Sequence, residues 1–155
     1  MVKFFIQNDL KRAIPLLEAG LKSNNMIFKQ FAIRQLPRVK SAWAEKHLLN
    51  MLQDLEKKSL AIKYHLDVIQ ACLQVKSLKA RASSIQKKLT LAATAEEQYS
   101  YALDGGDKVK GNGIFKSHAA AQCMRCHKVG WGAGGDVGPN LKDIAQKGPA
   151  YLLRA

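Results

Sequence analysis

Residues 32–49 read AIRQLPRVKSAWAEKHLL, and residues 68–85 read VIQACLQVKSLKARASSI. In both stretches apolar residues recur at intervals of three and four, the period of an amphipathic helix. The two also echo each other. Val39-Lys40-Ser41 returns as Val75-Lys76-Ser77, and at the same offset Ile33 matches Ile69, Ala32 matches Val68 and Leu49 matches Ile85. Outward from this pair the helical pattern holds over residues 9–90, where Pro and Gly are scarce. It predicts helices over Asp9–Leu21, Asn25–Leu36, Trp43–Lys57, Ala61–Gln74 and Leu78–Leu89. Asn8 or Asp9 is placed to cap the first, Gly20 falls near its end, and Pro15 is expected to kink or divide it. Linkers this short make consecutive helices antiparallel neighbours.

Two helices per 36 residues is a helical-repeat length, and the segment resembles HEAT or armadillo-type repeats, whose period is slightly longer. The resemblance implies helix pairs that stack because neither member buries its apolar face alone. An unrelated helical bundle remains the other reading. Two and a half such units make a marginal solenoid, and further repeats upstream would complete it.

The pattern breaks at residues 91–107. Leu91-Ala92-Ala93-Thr94-Ala95 leads into Glu96-Glu97, and Asp104-Gly105-Gly106-Asp107 ends the helical run. Beyond it the chain is rich in glycine and long helices stop. The expected fold class is all-α, with a helical repeat segment over 1–100 and a second, smaller domain over 101–155.

The second part carries Cys123-Met124-Arg125-Cys126-His127. Two thiols three residues apart, followed at once by histidine, is the spacing of covalent c-type haem attachment. The thiols add to the two haem vinyl groups as thioethers, and His127 then lies under the iron as its proximal ligand. A thioredoxin-like redox pair would need a βαβ surround, and none is legible. A structural zinc would need four donors; Cys123, Cys126 and His118 offer three, with no second pair following. Cys72 stands alone in a helical pattern and reads as a small buried apolar residue. His47 and His65 form no metal-binding spacing.

From Gly111 to Leu141 the chain resembles the first half of a class I cytochrome c domain. Gly111-Asn112-Gly113-Ile114-Phe115 resembles that family's N-terminal helix, Cys123–His127 its attachment motif, and Gly138-Pro139-Asn140-Leu141 the loop on the proximal side. The resemblance implies one covalent haem c held by Cys123, Cys126 and His127, with iron ligated by His127. It implies that the Pro139 carbonyl takes the ring N–H of His127, and that Leu141 lines the pocket. Arg125 would point outward. Trp131 would cover the haem edge or anchor the glycine-rich loop. His118 would sit near a propionate or be bonded locally. The segments AQCMRCHKVG, GGDVGPNL and GPAYLLRA more narrowly resemble the haem domain at the C-terminal end of quinoprotein-type, membrane-bound dehydrogenase proteins, which carry HEAT-like repeats upstream. That likeness implies a fused or separate dehydrogenase as electron donor and a soluble or membrane acceptor.

The family's distal methionine has no counterpart. The methionines are Met1, Met26, Met51 and Met124, and none of the residues after His127 is Met or His. No final helix follows to pack on Gly111–Phe115. The expectation is a fragment cut at both ends; a five-coordinate haem protein is the alternative. Haem attachment of this type implies a periplasmic or other extracytoplasmic location, although residues 1–14 do not read as a signal peptide. The formal net charge is +13, with 25 Lys and Arg against 12 Asp and Glu. It is spread out, favours an acidic partner, and comes with no base-reading motif, so no nucleic acid is expected. The rival reading is a helical-repeat interaction scaffold bearing a non-functional cytochrome remnant.

Overall fold

The computed structural model describes residues 2–91 and 94–154; Ala92 and Ala93 of the expected seam lie outside the described residues. Its architecture is all-α. Among the described residues no β-sheet forms, and the sole bridge is an isolated antiparallel pair, Lys128 with Gly134. The helices are α1 Val2–Asn8, α2 Leu10–Lys22, α3 Met26–Val39, α4 Ala42–Glu56, α5 His65–Cys72, α6 Lys76–Leu89, α7 Ala95–Tyr99, α8 Lys108–Ser117, α9 Cys123–Cys126 and α10 Pro149–Arg154. Short 3₁₀ turns at Ile62–Tyr64, Ser100–Ala102 and Ile144–Lys147 join them. The chain divides into two compact units, residues 1–105 and 106–155.

Polar residues at the helix starts satisfy orphan backbone donors. Asp9 accepts from Arg12 N–H at 3.3 Å, Asn25 from Phe28 N–H at 3.1 Å, and Ser41 from Ala44 N–H at 3.3 Å. Thr94 and Glu97 close a reciprocal capping box on α7. Of the two effects expected of Pro15, division of the helix does not occur: α2 runs unbroken from Leu10 to Lys22 with Asp9 as its cap. Gly20 falls in the last turn of α2, near the helix end as expected, and is also a contact point: a Cβ there would lie 2.7 Å from Ala32 Cβ, so its bare backbone lets α2 pack closely on α3.

The core of the first unit lies among α2 to α6. Ala32, Ile33, Leu48, Leu52, Val68 and Ile69 are fully buried. Each of the larger aliphatic side chains contributes about 1.5–3 kcal/mol on burial. Helix α3 packs on α2, α4 and α5, and α4 packs on both α5 and α6. Both partners of the Ile33/Ile69 and Ala32/Val68 echoes are buried completely. Polar ties cross the same surfaces. Arg34 on α3 donates to the wholly buried Asp67 on α5 at 2.9 Å. Gln30 on α3 donates to the carbonyls of Lys63 and Asp104 at 2.8 and 2.7 Å. Glu56 on α4 holds Arg81 on α6 in a two-point ion pair, which keeps the Glu56 carboxyl below its ordinary range. An open groove on this unit is lined by the apolar Leu55, Leu60, Ile62, Ile85 and Leu89 together with Glu56, Lys58, His65 and Lys88.

The second unit is built differently. Asp107 caps α8 through Val109 and Lys110 N–H at 2.8 and 3.2 Å. No described residue from 106 to 154 is buried. Its order comes from hydrogen bonds within its turns and loops.

Candidate functional site

Cys123 and Cys126 sit at the two ends of α9, a single helical turn. Residues three apart on a helix share a face, so the thiols lie one above the other; Cys123 is half-buried, Cys126 exposed, and both are free. His127 leaves the turn in extended conformation, its N–H still bonded to Cys123 O at 3.0 Å. The chain then loops out and returns across the motif. Gly135 N–H reaches Met124 O at 2.9 Å, Gly138 N–H reaches Cys126 O at 2.8 Å, and Leu141 N–H reaches Lys128 O at 2.8 Å. Lys128 and Asp136 add an ion pair across the loop.

Close approach explains the glycines of this return. A Cβ on Gly135 would lie 2.1 Å from Arg125 O. One on Gly138 would lie 2.5 Å from His127 Cε1 and 2.7 Å from its Nδ1. Position 138 is thus a cradle for the imidazole that any side chain would fill.

The ring is fixed from its other side as well. His127 Nδ1 lies 2.9 Å from Pro139 O. A carbonyl oxygen can only accept, so Nδ1 carries the proton and donates, and the neutral ring keeps its lone pair on Nε2. An imidazole oriented this way is arranged as a metal ligand. The next residue, Asn140, clamps the loop: it accepts from Gly130 N–H at 2.9 Å and Lys142 N–H at 3.0 Å and donates to Gly130 O at 2.9 Å. Asn140 stands in the expected loop, but its clamp is not evident from the sequence. Its signal is the general habit of Asn to bond backbone groups in turns.

The remaining expected residues divide. Leu141 is half-buried. Arg125 is exposed, donating to Gln122 Oε1 at 3.3 Å. His118 bonds locally, its Nδ1 accepting from Ala121 N–H at 3.0 Å. Trp131 is 99% exposed and anchors nothing in the loop. Cys72 is fully buried in the first unit, and burial pushes its thiol up to about 12, which sets it apart from chemistry that needs a thiolate. Among the described residues no group of three or more His, Cys, Asp or Glu side chains gathers to hold a metal ion, so the zinc reading of Cys123, Cys126 and His118 finds no assembled donor set. A haem makes a different demand, since its porphyrin supplies four of the iron's ligands. For such a group the chain would need to supply one nitrogen ligand and two thiols, and the oriented His127 ring with Cys123 and Cys126 on their helical turn are residues of that kind.

No helix among the described residues is long and apolar enough to cross a membrane. Comparison with protein-family models, with curated proteins and with solved structures finds no match to this chain.

Proposed function

We propose that the second unit is a c-type haem-binding electron-transfer domain of cytochrome c type. The observation that supports this most is the 2.9 Å hydrogen bond from His127 Nδ1 to Pro139 O, made across twelve residues to a carbonyl that only accepts. Cys123 and Cys126 would hold one haem covalently as thioethers, and His127 Nε2 would ligate its iron. The haem, when bound, supplies reversible one-electron chemistry between ferric and ferrous iron. The chain's own residues do the rest. Pro139 and Gly138 set the imidazole, Leu141 contributes apolar cover, and the basic surface steers an acidic partner. No side chain is required as general acid, base or nucleophile. In this reading a dehydrogenase, fused or separate, is the donor, a soluble or membrane carrier is the acceptor, and the location is periplasmic or otherwise extracytoplasmic. The stacking of α3 on α5 and of α4 on α6 supports reading the first unit as a short HEAT-like solenoid.

The test is maturation in a host with an export-coupled haem attachment system. The full chain is expected to gain the mass of one haem and to keep a haem stain through denaturing electrophoresis. A colourless chain at its bare polypeptide mass overturns the proposal.

A second reading has its own support. Every described buried residue lies within residues 6–101, and the apolar groove of Leu55, Leu60, Ile62, Ile85 and Leu89 opens on that unit. In this reading the helices are an interaction scaffold and the second unit is a non-functional cytochrome remnant. The same stain separates the two: a matured chain with no covalent haem favours the scaffold.

A further inference from the structure

We propose that Asn140 is a positioning residue for His127, acting through the Pro139 carbonyl to hold the imidazole in its Nδ1–H form before any iron arrives. This role rests on the haem reading, while the three hydrogen bonds behind it stand without haem. Asn140 Oδ1 accepts from the backbone N–H of Gly130 and of Lys142, and its Nδ2 donates to Gly130 O, at 2.9, 3.0 and 2.9 Å. One amide side chain thereby joins both sides of the loop at a point three residues past His127. The carbonyl that takes the His127 proton belongs to the residue immediately before Asn140. Fixing the Asn140 side chain to Gly130 therefore limits where the Pro139 oxygen can go.

The need for such a device follows from the surroundings. No described residue of this unit is buried, so packing does not hold the loop. The His127–Pro139 bond is itself solvent-accessible, and an exposed hydrogen bond between neutral partners contributes only about 0.5–1.5 kcal/mol net. Left alone, the ring would exchange this partner for water and redistribute between its two tautomers. A neighbouring clamp with three bonds shifts that balance by restricting the acceptor, not by touching the ring. Gly138 closes the remaining direction, since the ring rests where its Cβ would be. The imidazole is thus set from two sides by backbone, and Asn140 holds that backbone in register.

The experiment uses the full chain without haem, with ¹⁵N-labelled histidine and backbone. In the parent chain the neutral His127 ring should show the nitrogen shifts of the Nδ1–H tautomer, and the Gly130 amide should exchange slowly. Asn140→Ala should move the ring to the Nε2–H form favoured by free histidine and speed Gly130 exchange by about tenfold or more. Asn140→Asp keeps the acceptor for both N–H groups and loses the donor to Gly130 O, so it should restore most of the Nδ1–H signal. An Asn140→Ala chain that keeps the parent's tautomer overturns the inference. So does one that loses it while Asn140→Asp fails to recover it. Because none of these readings needs haem, a failure to mature in the earlier test overturns the haem reading alone. In a matured chain, Asn140→Ala should raise the reduction potential, because a His127 that donates a weaker hydrogen bond is a poorer ligand for ferric iron.

Discussion

An alanine at position 138 would put its Cβ 2.5 Å from His127 Cε1, well inside contact distance. Either the ring or the loop must then move, and the loop is tied by Gly138 N–H to Cys126 O at 2.8 Å. The ring is the softer side, since it is held by the single bond to Pro139. We therefore expect Gly138→Ala to leave the first unit's helices intact and to disrupt the His127–Pro139 hydrogen bond. Overpacking of this kind costs typically about 1–3 kcal/mol. The measurement is the yield of covalent haem per chain and the ligand-binding spectrum of whatever haem is attached. An unchanged yield with an unchanged low-energy absorption band would mean that the cradle does not constrain the ring. These residues were legible to different degrees in the sequence. Cys123, Cys126 and His127 stand out as candidates by spacing, and Pro139 only through the resemblance of Gly138–Leu141 to a cytochrome c loop. Asn140 and Gly135 do not, because their roles depend on which backbone returns beside them, and that is a property of the folded loop.

Between elements, the contact with most at stake joins α3 to α5. Asp67 is entirely buried, while the Arg34 side chain is 24% exposed. Breaking a buried ion pair by deleting one member costs about 3–5 kcal/mol, because the other charge is left in a poor environment. The asymmetry in exposure decides the order. Without Asp67, the arginine has a route to water; without Arg34, the carboxylate keeps its burial and loses a cation. Arg34→Ala is therefore expected to destabilise the chain more than Asp67→Asn, by denaturant unfolding followed by helical circular dichroism. Equal losses would show that Asp67 is held mainly by other partners. Periodicity foretold that these helices exist, and it did so well from Met26 to Leu89, where the apolar echoes Ile33/Ile69 and Ala32/Val68 mark the buried faces. It missed α1, whose seven residues contain too few turns for a period to show. Pro15, sixth of the thirteen residues of α2, leaves the helix undivided: it forfeits a single backbone hydrogen bond, while Ala13, Leu17 and Leu21 around it are buried. The ion pair itself carries no sequence signature, since Arg34 and Asp67 meet only when their helices pack.

At the scale of the molecule the two units are stabilised by different means. The first has an apolar core running from Ile6 to Tyr101, whereas residues 106–154 contain no buried side chain and expose Val109, Ile114, Val129, Trp131, Val137 and Leu152. A unit of that size rarely holds itself together without a staple such as a disulfide, metal or other covalent group. Its internal order rests on short backbone bonds around the attachment turn, and hydrogen bonds exposed to water contribute little net stability. Residues 1–105 expressed alone are therefore expected to unfold cooperatively with high helicity. Residues 106–155 without haem should show early, non-cooperative loss of structure, with amide protection confined to the loop that Asn140 bonds at Gly130 and Lys142. If the haem reading holds, attachment supplies the apolar centre that the polypeptide does not make for itself, and at about 25 cal/mol per Å² a few hundred Å² of new contact is worth several kcal/mol. Amide exchange on the full chain before and after maturation measures this directly: protection should rise across residues 111–141 and stay constant across α3 to α6. A second unit that is already well protected beyond the Asn140-bonded loop without haem would mean that it is stable by itself, and the physical case for a covalently held core would fall with it.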